Sequence, residues 1–293
     1  MIDVRSWYEP IARSWLKKQA SNLQQNLLIV DGTKVGFTHQ LLIVSMPYRK
    51  RAIPIAWTWV KHIKGHSTPE AQLALLAYVR PLLPQGIAVL LAGDSEFGAV
   101  EVLQQLEKWH WNYVLRQKRR THVCLFGQTE WCDFGSYVEK PGLSRWLGKG
   151  WLTQTKIYPV NLFVHWKAGE DEPWCLATNL PDRRMTLQAY TRRMWIEEMF
   201  GDLKKHGFDC LSVAQEECTM LRHADRLSRL TLAVALLYVW SVSIGTKTIR
   251  NSLRHMVDRN DRRDLSIFQI GLRFIERQLI NSLPCPVILC SYR

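Results

Sequence analysis

No two of the seven cysteines form a C-x-x-C pair, and their number is odd. That excludes a zinc ribbon and a thioredoxin-like redox motif. Cys210 and Cys218 stand near His206 but complete no four-ligand set. The thiols therefore read as reduced, mostly packed side chains in a reducing cytosol. The opening residues, MIDVRSWYEPIARSWLKK, hold no apolar core of the kind a secretory signal needs. There is no internal repeat and no low-complexity segment, which sets repeat architectures and disordered tails aside. Long apolar runs are scarce as well. The one extended uncharged run, Leu230 to Thr246, contains Thr and Ser and falls short of a bilayer span. A buried core helix is the better reading of it.

Acidic residues are in short supply. The chain carries 39 Lys and Arg against 26 Asp and Glu, a formal net charge of +13. A fold does not need that excess, but a polyanionic partner exploits it. Nucleic acid is favoured over an anionic membrane surface, because each neutralised phosphate releases counterions and adds affinity. With 47% hydrophobic and 22% charged residues the chain is globular rather than disordered. Its 293 residues suffice for one large domain, or for one domain with a sizeable insertion.

The pattern along the chain is that of an α/β fold. Trp7, Ile11, Trp15 and Leu16 recur at helical spacing in residues 1–26. Three apolar runs follow, LLIVD, LLIVSMPY and AIPIAWTWV, and predict three sequential strands. Ser67-Thr68-Pro69-Glu70 reads as a helix start. IAVLLAGD is a fourth strand that ends at Asp94, a helix covers about 99–108, and YVLRQK is a fifth strand. This alternation over 27–119 predicts a mixed central sheet. From 120 to 180 Trp, Gly and Thr are frequent and helical periodicity is absent, which predicts a β-rich insertion. Residues 181–210 are strongly helical, and 211–293 read as a helical C-terminal region that includes a helix from Ser266 to Leu283.

Three acids occupy positions where chemistry is built. Asp31 ends the first predicted strand, Asp94 ends the fourth, and Glu197 lies on the helix after the insertion. Acids at strand ends converge at one edge of a sheet. Carboxylates so grouped repel one another unless a cation joins them, and hard divalent cations such as Mg²⁺ prefer oxygen ligands. Two such ions could activate a nucleophile and stabilise a leaving oxygen. The competing reading is structural: an Asp at a strand end commonly caps a turn.

Tyr190, Arg193, Glu197 and Lys204 lie at offsets of three, seven and fourteen. On one continuous helix they fall within a wedge of roughly 60°. Glu198 points about 100° away from Glu197 by the same arithmetic, so the helix selects Glu197 as the metal ligand. A solvated face with an Arg193–Glu197 salt bridge is the plain alternative. In the functional reading Arg193 and Lys204 hold phosphates as fork and point charge, and Tyr190 donates its hydroxyl to a phosphate.

Tyr-x2-Arg-x3-Glu-x6-Lys resembles the signature of bacterial transposases of the insertion sequence 4 family. The surrounding Trp195-Ile196-Glu197-Glu198, the DGT at Asp31, the GDSEFG around Asp94 and the run LRHADRLSRLTLAVALLYVW resemble that family too. The resemblance implies a ribonuclease H-like catalytic core interrupted by a β-rich insertion, with a helical C-terminus. It implies that Asp31, Asp94 and Glu197 bind two Mg²⁺ ions, for which Mn²⁺ can substitute. It also implies cleavage at transposon ends and strand transfer into target DNA, by a homodimer on double-stranded DNA in the bacterial cytoplasm at the nucleoid. Arg116 resembles a DNA-contacting basic residue after the fifth strand, and Lys118, Arg119 and Arg120 extend it into a cluster. Trp174 occupies a strand similar to the one whose Trp stacks a flipped base in that family; a core aromatic is the alternative. Family members carry a substantial region before the first Asp, whereas 30 residues precede Asp31 here. That is the pattern of a truncated copy, a misassigned start or a short form. A second functional class follows from it: a non-catalytic DNA-binding or dimerising inhibitor. A metal-dependent nuclease without strand transfer is a third.

Overall fold

The computed structural model describes residues 4–35, 39–61, 66–205, 224–259 and 261–291. Cys210, Cys218 and His206 lie outside the described residues. Numbered in chain order, the helices are α1 (Val4–Leu23), α2 (Pro69–Val79), α3 (Val100–Lys108), α4 (Arg183–Arg193), α5 (Trp195–Lys205), α6 (Ala224–Arg250) and α7 (Ile267–Ile280). The strands are β1 (Gln25–Val35), β2 (His39–Tyr48), β3 (Arg51–Lys61), β4 (Ala88–Gly93), β5 (Asn112–Gln117), β6 (His122–Leu125), β7 (Cys132–Asp133), β8 (Ser144–Leu152), β9 (Tyr158–His165) and β10 (Trp174–Thr178).

The apolar runs read from the sequence form the middle of one mixed α/β sheet, ordered β3-β2-β1-β4-β5-β10-β9-β8-β6-β7. β1 pairs antiparallel with β2 and parallel with β4, and β4 is parallel to β5. Parallel neighbours need crossovers, which α2 and α3 supply. α2 begins as its sequence dictates, with Thr68 capping Ala71 N and Pro69 in the first turn. β3 is bonded to β2 alone, so Pro54 costs no ladder bond, and the register shifts by one residue beside it. The strands of 120–180 join this sheet: β10 pairs with β5, and β9, β8, β6 and β7 continue outward.

Two features differ from the sequence reading. β1 does not end at Asp31. It continues to Val35 because β2 keeps pairing with it, Asp31 opposite Ile43 and Val35 opposite His39. Its parallel partner β4 does stop there, with Val30 opposite Gly93. The helix predicted across Tyr190–Lys204 is broken at Met194. The Glu197 N–H bonds the Met194 carbonyl, an i to i+3 turn, at 3.2 Å. α4 packs on β1, β4 and β5, whereas α5 packs on β2 and β3. Met194 itself keeps helical dihedrals, φ −58° and ψ −17°, so a single tightened turn separates the two helices.

Beneath α4 lies a core of Leu27, Leu90, Val114, Phe163, Leu176 and Tyr190. A larger core joins the remaining helices to the sheet. The apolar run of the C-terminal region becomes α6, which by length and composition could cross a membrane over Arg226–Arg250. In this structure it packs on β3, α1 and α7.

Candidate active site

The register places Asp31 and Asp94 side by side, each one residue past the last β1–β4 pair, Val30 and Gly93. By the two-residue alternation of a strand, Asp31 shares a face with Leu27, which belongs to the core beneath α4. Both acids are tied locally. Asp31 Oδ1 accepts the Gly32 N–H at 2.7 Å, and Asp94 Oδ1 accepts the Glu96 N–H at 2.9 Å, capping the 3-10 turn Ser95–Phe97. The turn-capping role weighed from sequence is thus present at Asp94, and each acid keeps oxygens beyond these bonds.

Arg193, at the end of α4, reaches across to the strand. Its Nη1 donates to Asp31 Oδ2 at 3.0 Å and its Nη2 to Glu197 Oε1 at 2.7 Å. Arg193 is only 6% exposed, while the Glu197 side chain is 50% exposed. Glu198 turns elsewhere, to Arg51 at 3.4 Å. The turn at Met194 falls between Arg193 and Glu197, which still pair across it, while Glu197 and Lys204 lie together on α5. Lys204 is exposed on the last turn of α5.

Burial raises the Asp31 carboxyl, Arg193 pulls it back, Asp94 and Glu197 raise it again, and together they leave it pushed up to about 7. Asp94 is also raised, chiefly by burial. Burial would lower Arg193, but Tyr190, Asp31, Glu197 and Asp94 more than reverse that and keep it charged. Because the folded Asp31 holds its proton more tightly than an unfolded carboxyl at 3.8, its contribution to stability is present below about pH 4 and is lost as pH rises through about 7. Relative to Asp31→Asn, wild type is expected to lose on the order of 4 kcal/mol between about pH 4 and pH 8. Thermal melts of the two proteins across that range check it; parallel pH profiles would contradict the assignment.

Tyr190 is fully buried, edge-on to Trp174 at 5.0 Å between ring centres, with the Arg193 guanidinium 5.6 Å from its own ring centre. Neither the Tyr190 hydroxyl nor Arg193 Nε has an acceptor among the described residues, and the Arg116 side chain lies beside the Tyr190 hydroxyl. Trp174 is 6% exposed and belongs to the core beneath α4, beside His165. Its place is that of a core aromatic: β10 is an interior strand, and the ring packs on Tyr190 of α4 and on His165. Arg116 contacts Glu172 at 3.5 Å. With Ser95, Lys118, Arg119 and Arg120 it lines a cavity of about 760 Å³ that opens next to the Asp94 turn.

Glu96 was not singled out by sequence reasoning. Both its carboxylate oxygens accept from Gln40 Nε2 at 2.9 Å, and Oε1 accepts the Ser67 N–H at 2.7 Å and the Ser67 hydroxyl. Gln72 Nε2 closes the network on the Glu96 carbonyl at 3.1 Å. This network joins β2 and the start of α2 to the turn that carries Asp94. The signal available in the sequence was the second acid of GDSEFG. Glu96→Ala leaves buried donors on Gln40 and Ser67 without acceptors, and is expected to cost about 2–3 kcal/mol in denaturant unfolding. Glu96→Gln should cost less, since it retains one acceptor.

The donor chemistry at this edge, carboxylates only with Asp31 withdrawn from water, fits a hard divalent cation. The three acids do not, however, form one closed ligand set. Among the described residues no three His, Cys, Asp or Glu side chains stand together as a metal group. Arg193 bridges Asp31 and Glu197 where a shared ion was expected.

No protein-family model matches the chain, and no curated protein matches it. Among solved structures, it is similar to a piggyBac transposase synaptic complex with hairpin DNA, at 9% identity and a TM-score of 0.42 over 89% of this chain. The chain spans about half of that one, 54% of its length.

Proposed function

We propose that the chain is a DNA transposase of the Asp-Asp-Glu type, similar to the insertion sequence 4 family. It would cleave transposon ends and transfer the freed 3′ ends to target DNA with Mg²⁺. The observation that carries this is the pairing of Asp31 with Asp94 at the rim of the parallel β1–β4 pair, with Glu197 linked to Asp31 through Arg193. The five-strand segment β3-β2-β1-β4-β5, in which β2 is antiparallel to both neighbours, supports a ribonuclease H-like core.

Asp31 and Asp94 would hold Mg²⁺, with Glu197 as the third acid, two ions being expected and Mn²⁺ an acceptable substitute. Bound Mg²⁺ supplies an activated oxygen nucleophile and charge compensation for the leaving oxygen. Glu197 would take this role in place of its pairing with Arg193, and its half-exposed side chain has the room to do so. Arg193, freed from Glu197, presents a guanidinium fork to a phosphate. The Tyr190 hydroxyl and Arg193 Nε are donors without acceptors beside the acids, so an anionic oxygen there satisfies them. Lys204 adds a point charge farther along α5, and Arg116 and Lys118 line the cavity along which a DNA backbone could run. Double-stranded DNA is the partner, bound by a homodimer in the bacterial cytoplasm. Purified protein incubated with Mg²⁺ and the inverted repeats flanking its gene is expected to nick them and join the 3′ ends. Absence of any Mg²⁺-dependent cleavage would refute the reading.

A further inference from the structure

A second basic centre lies away from the carboxylates, on the connection between α6 and α7. Asp258, Arg259, Arg262, Asp264, Leu265 and Arg273 line a cavity of about 290 Å³ there. The two acids are already engaged. Asp258 accepts from Arg254 at 2.6 Å, and Asp264 pairs with Arg262 at 2.9 Å. Among the described residues Arg259, Arg263 and Arg273 pair with no carboxylate, and all three are exposed. So many guanidinium groups close together repel one another, and a site of this composition is matched by several anionic oxygens in a row.

The cluster is fixed relative to the candidate active site. Ser266 caps α7 with a full capping box, and its hydroxyl lies 3.4 Å from Asp202 Oδ1. Asp202 is on α5, is buried, and is also held by Arg51. Five residues of helix separate it from Glu197, about 7.5 Å of rise. The arginines of the α6–α7 connection therefore stand on the order of 15 Å from Glu197, and exposed Lys204 lies past Asp202 at the end of the same helix. Each nucleotide of one strand advances about 3.4 Å along the duplex axis, so that separation taken along the axis corresponds to roughly four or five nucleotides.

We propose that Arg259, Arg262 and Arg273 form a second phosphate-backbone clamp, which grips the duplex several nucleotides from the phosphate held at the Asp31–Asp94 edge. This rests on the reading that the chain engages DNA at that edge, but not on catalysis. Binding of a labelled 30-base-pair duplex of arbitrary sequence is measured by fluorescence anisotropy, in a chelator-containing buffer, over a series of KCl concentrations. The variant Arg259→Gln/Arg262→Gln/Arg273→Gln is expected to bind about tenfold more weakly at moderate salt, with the log–log salt slope shallower by about 2 to 3. Lys17→Gln/Lys108→Gln/Lys140→Gln removes the same charge from other exposed positions and is expected to shift affinity less than threefold. Arg259→Glu alone disturbs no carboxylate pairing of the Arg259 side chain seen here, and should also weaken binding, with an unchanged melting temperature. An unchanged slope in the arginine variants, or equal losses in the lysine control, would overturn the clamp. Failure of wild type to bind duplex at all would sink the DNA reading with it, whereas normal duplex binding without Mg²⁺-dependent cleavage would count against the catalytic reading alone.

Discussion

Asp94→Asn is expected to abolish Mg²⁺-dependent cleavage, by roughly a thousandfold or more, while leaving duplex binding in chelator intact. The charge removed is the one that the register sets beside Asp31. Among the described residues the nearest other acid, Glu96, is spent on Gln40 and Ser67. Asp31→Asn and Glu197→Gln should give losses of the same order, since a set of ligands fails as a unit. Glu198→Gln is the informative control. Its carboxylate faces Arg51 at the surface, so cleavage should change less than about threefold, as for a solvent-exposed pair. Gel assays of nicking beside anisotropy measurements separate the two readouts. If Glu198→Gln were as damaging as Glu197→Gln, the assignment along α5 would be wrong.

The second large effect is expected where α6 crosses α7. A Cβ built on Gly271 would stand 1.7 Å from the Ser241 carbonyl oxygen, and one on Gly245 would stand 2.0 Å from the Ile267 carbonyl oxygen. These are backbone atoms, so no side chain can swing aside, and the two helices would have to separate. Gly271→Ala should cost about 3 kcal/mol, at the upper end of overpacking effects, and Gly271→Val more. For a chain of this length that lowers the melting temperature by roughly 6 °C or more. Gly201 offers the opposite case within α5, with nothing within 4 Å of its Cβ position. Gly201→Ala should stabilise by about 0.5–1 kcal/mol through helix propensity alone. Calorimetry of both variants tests the contrast. A neutral Gly271→Ala would mean that the crossing is looser than described.

Much of the central sheet was legible because its strands are short apolar runs bounded by turn residues. LLIVD and IAVLLAGD place Asp31 and Asp94 at equivalent points, and only a register is needed to bring them together. The segment 120–180 was legible as β-rich, but not as part of the same sheet, because pairing of β10 with β5 is decided over sixty residues of separation. The wedge drawn through Tyr190, Arg193, Glu197 and Lys204 assumed one helix. The turn at Met194 falls inside it, with Tyr190 and Arg193 on α4 and Glu197 and Lys204 on α5, and the Arg193–Glu197 pair spans the turn. Glu96 went unnoticed because its partners Gln40 and Ser67 lie 56 and 29 residues away.

The sequence by itself determined the elements, the excess of positive charge and the residue types able to do chemistry, since these follow from periodicity and composition over a few residues. Tertiary structure alone decided what those residues face. It set Trp174 in the core, interrupted the signature helix at Met194, and placed Arg193 between Asp31 and Glu197. The physical reason is range: helix and strand preferences act over one or two turns, while burial and charge pairing depend on neighbours that only the folded chain assembles.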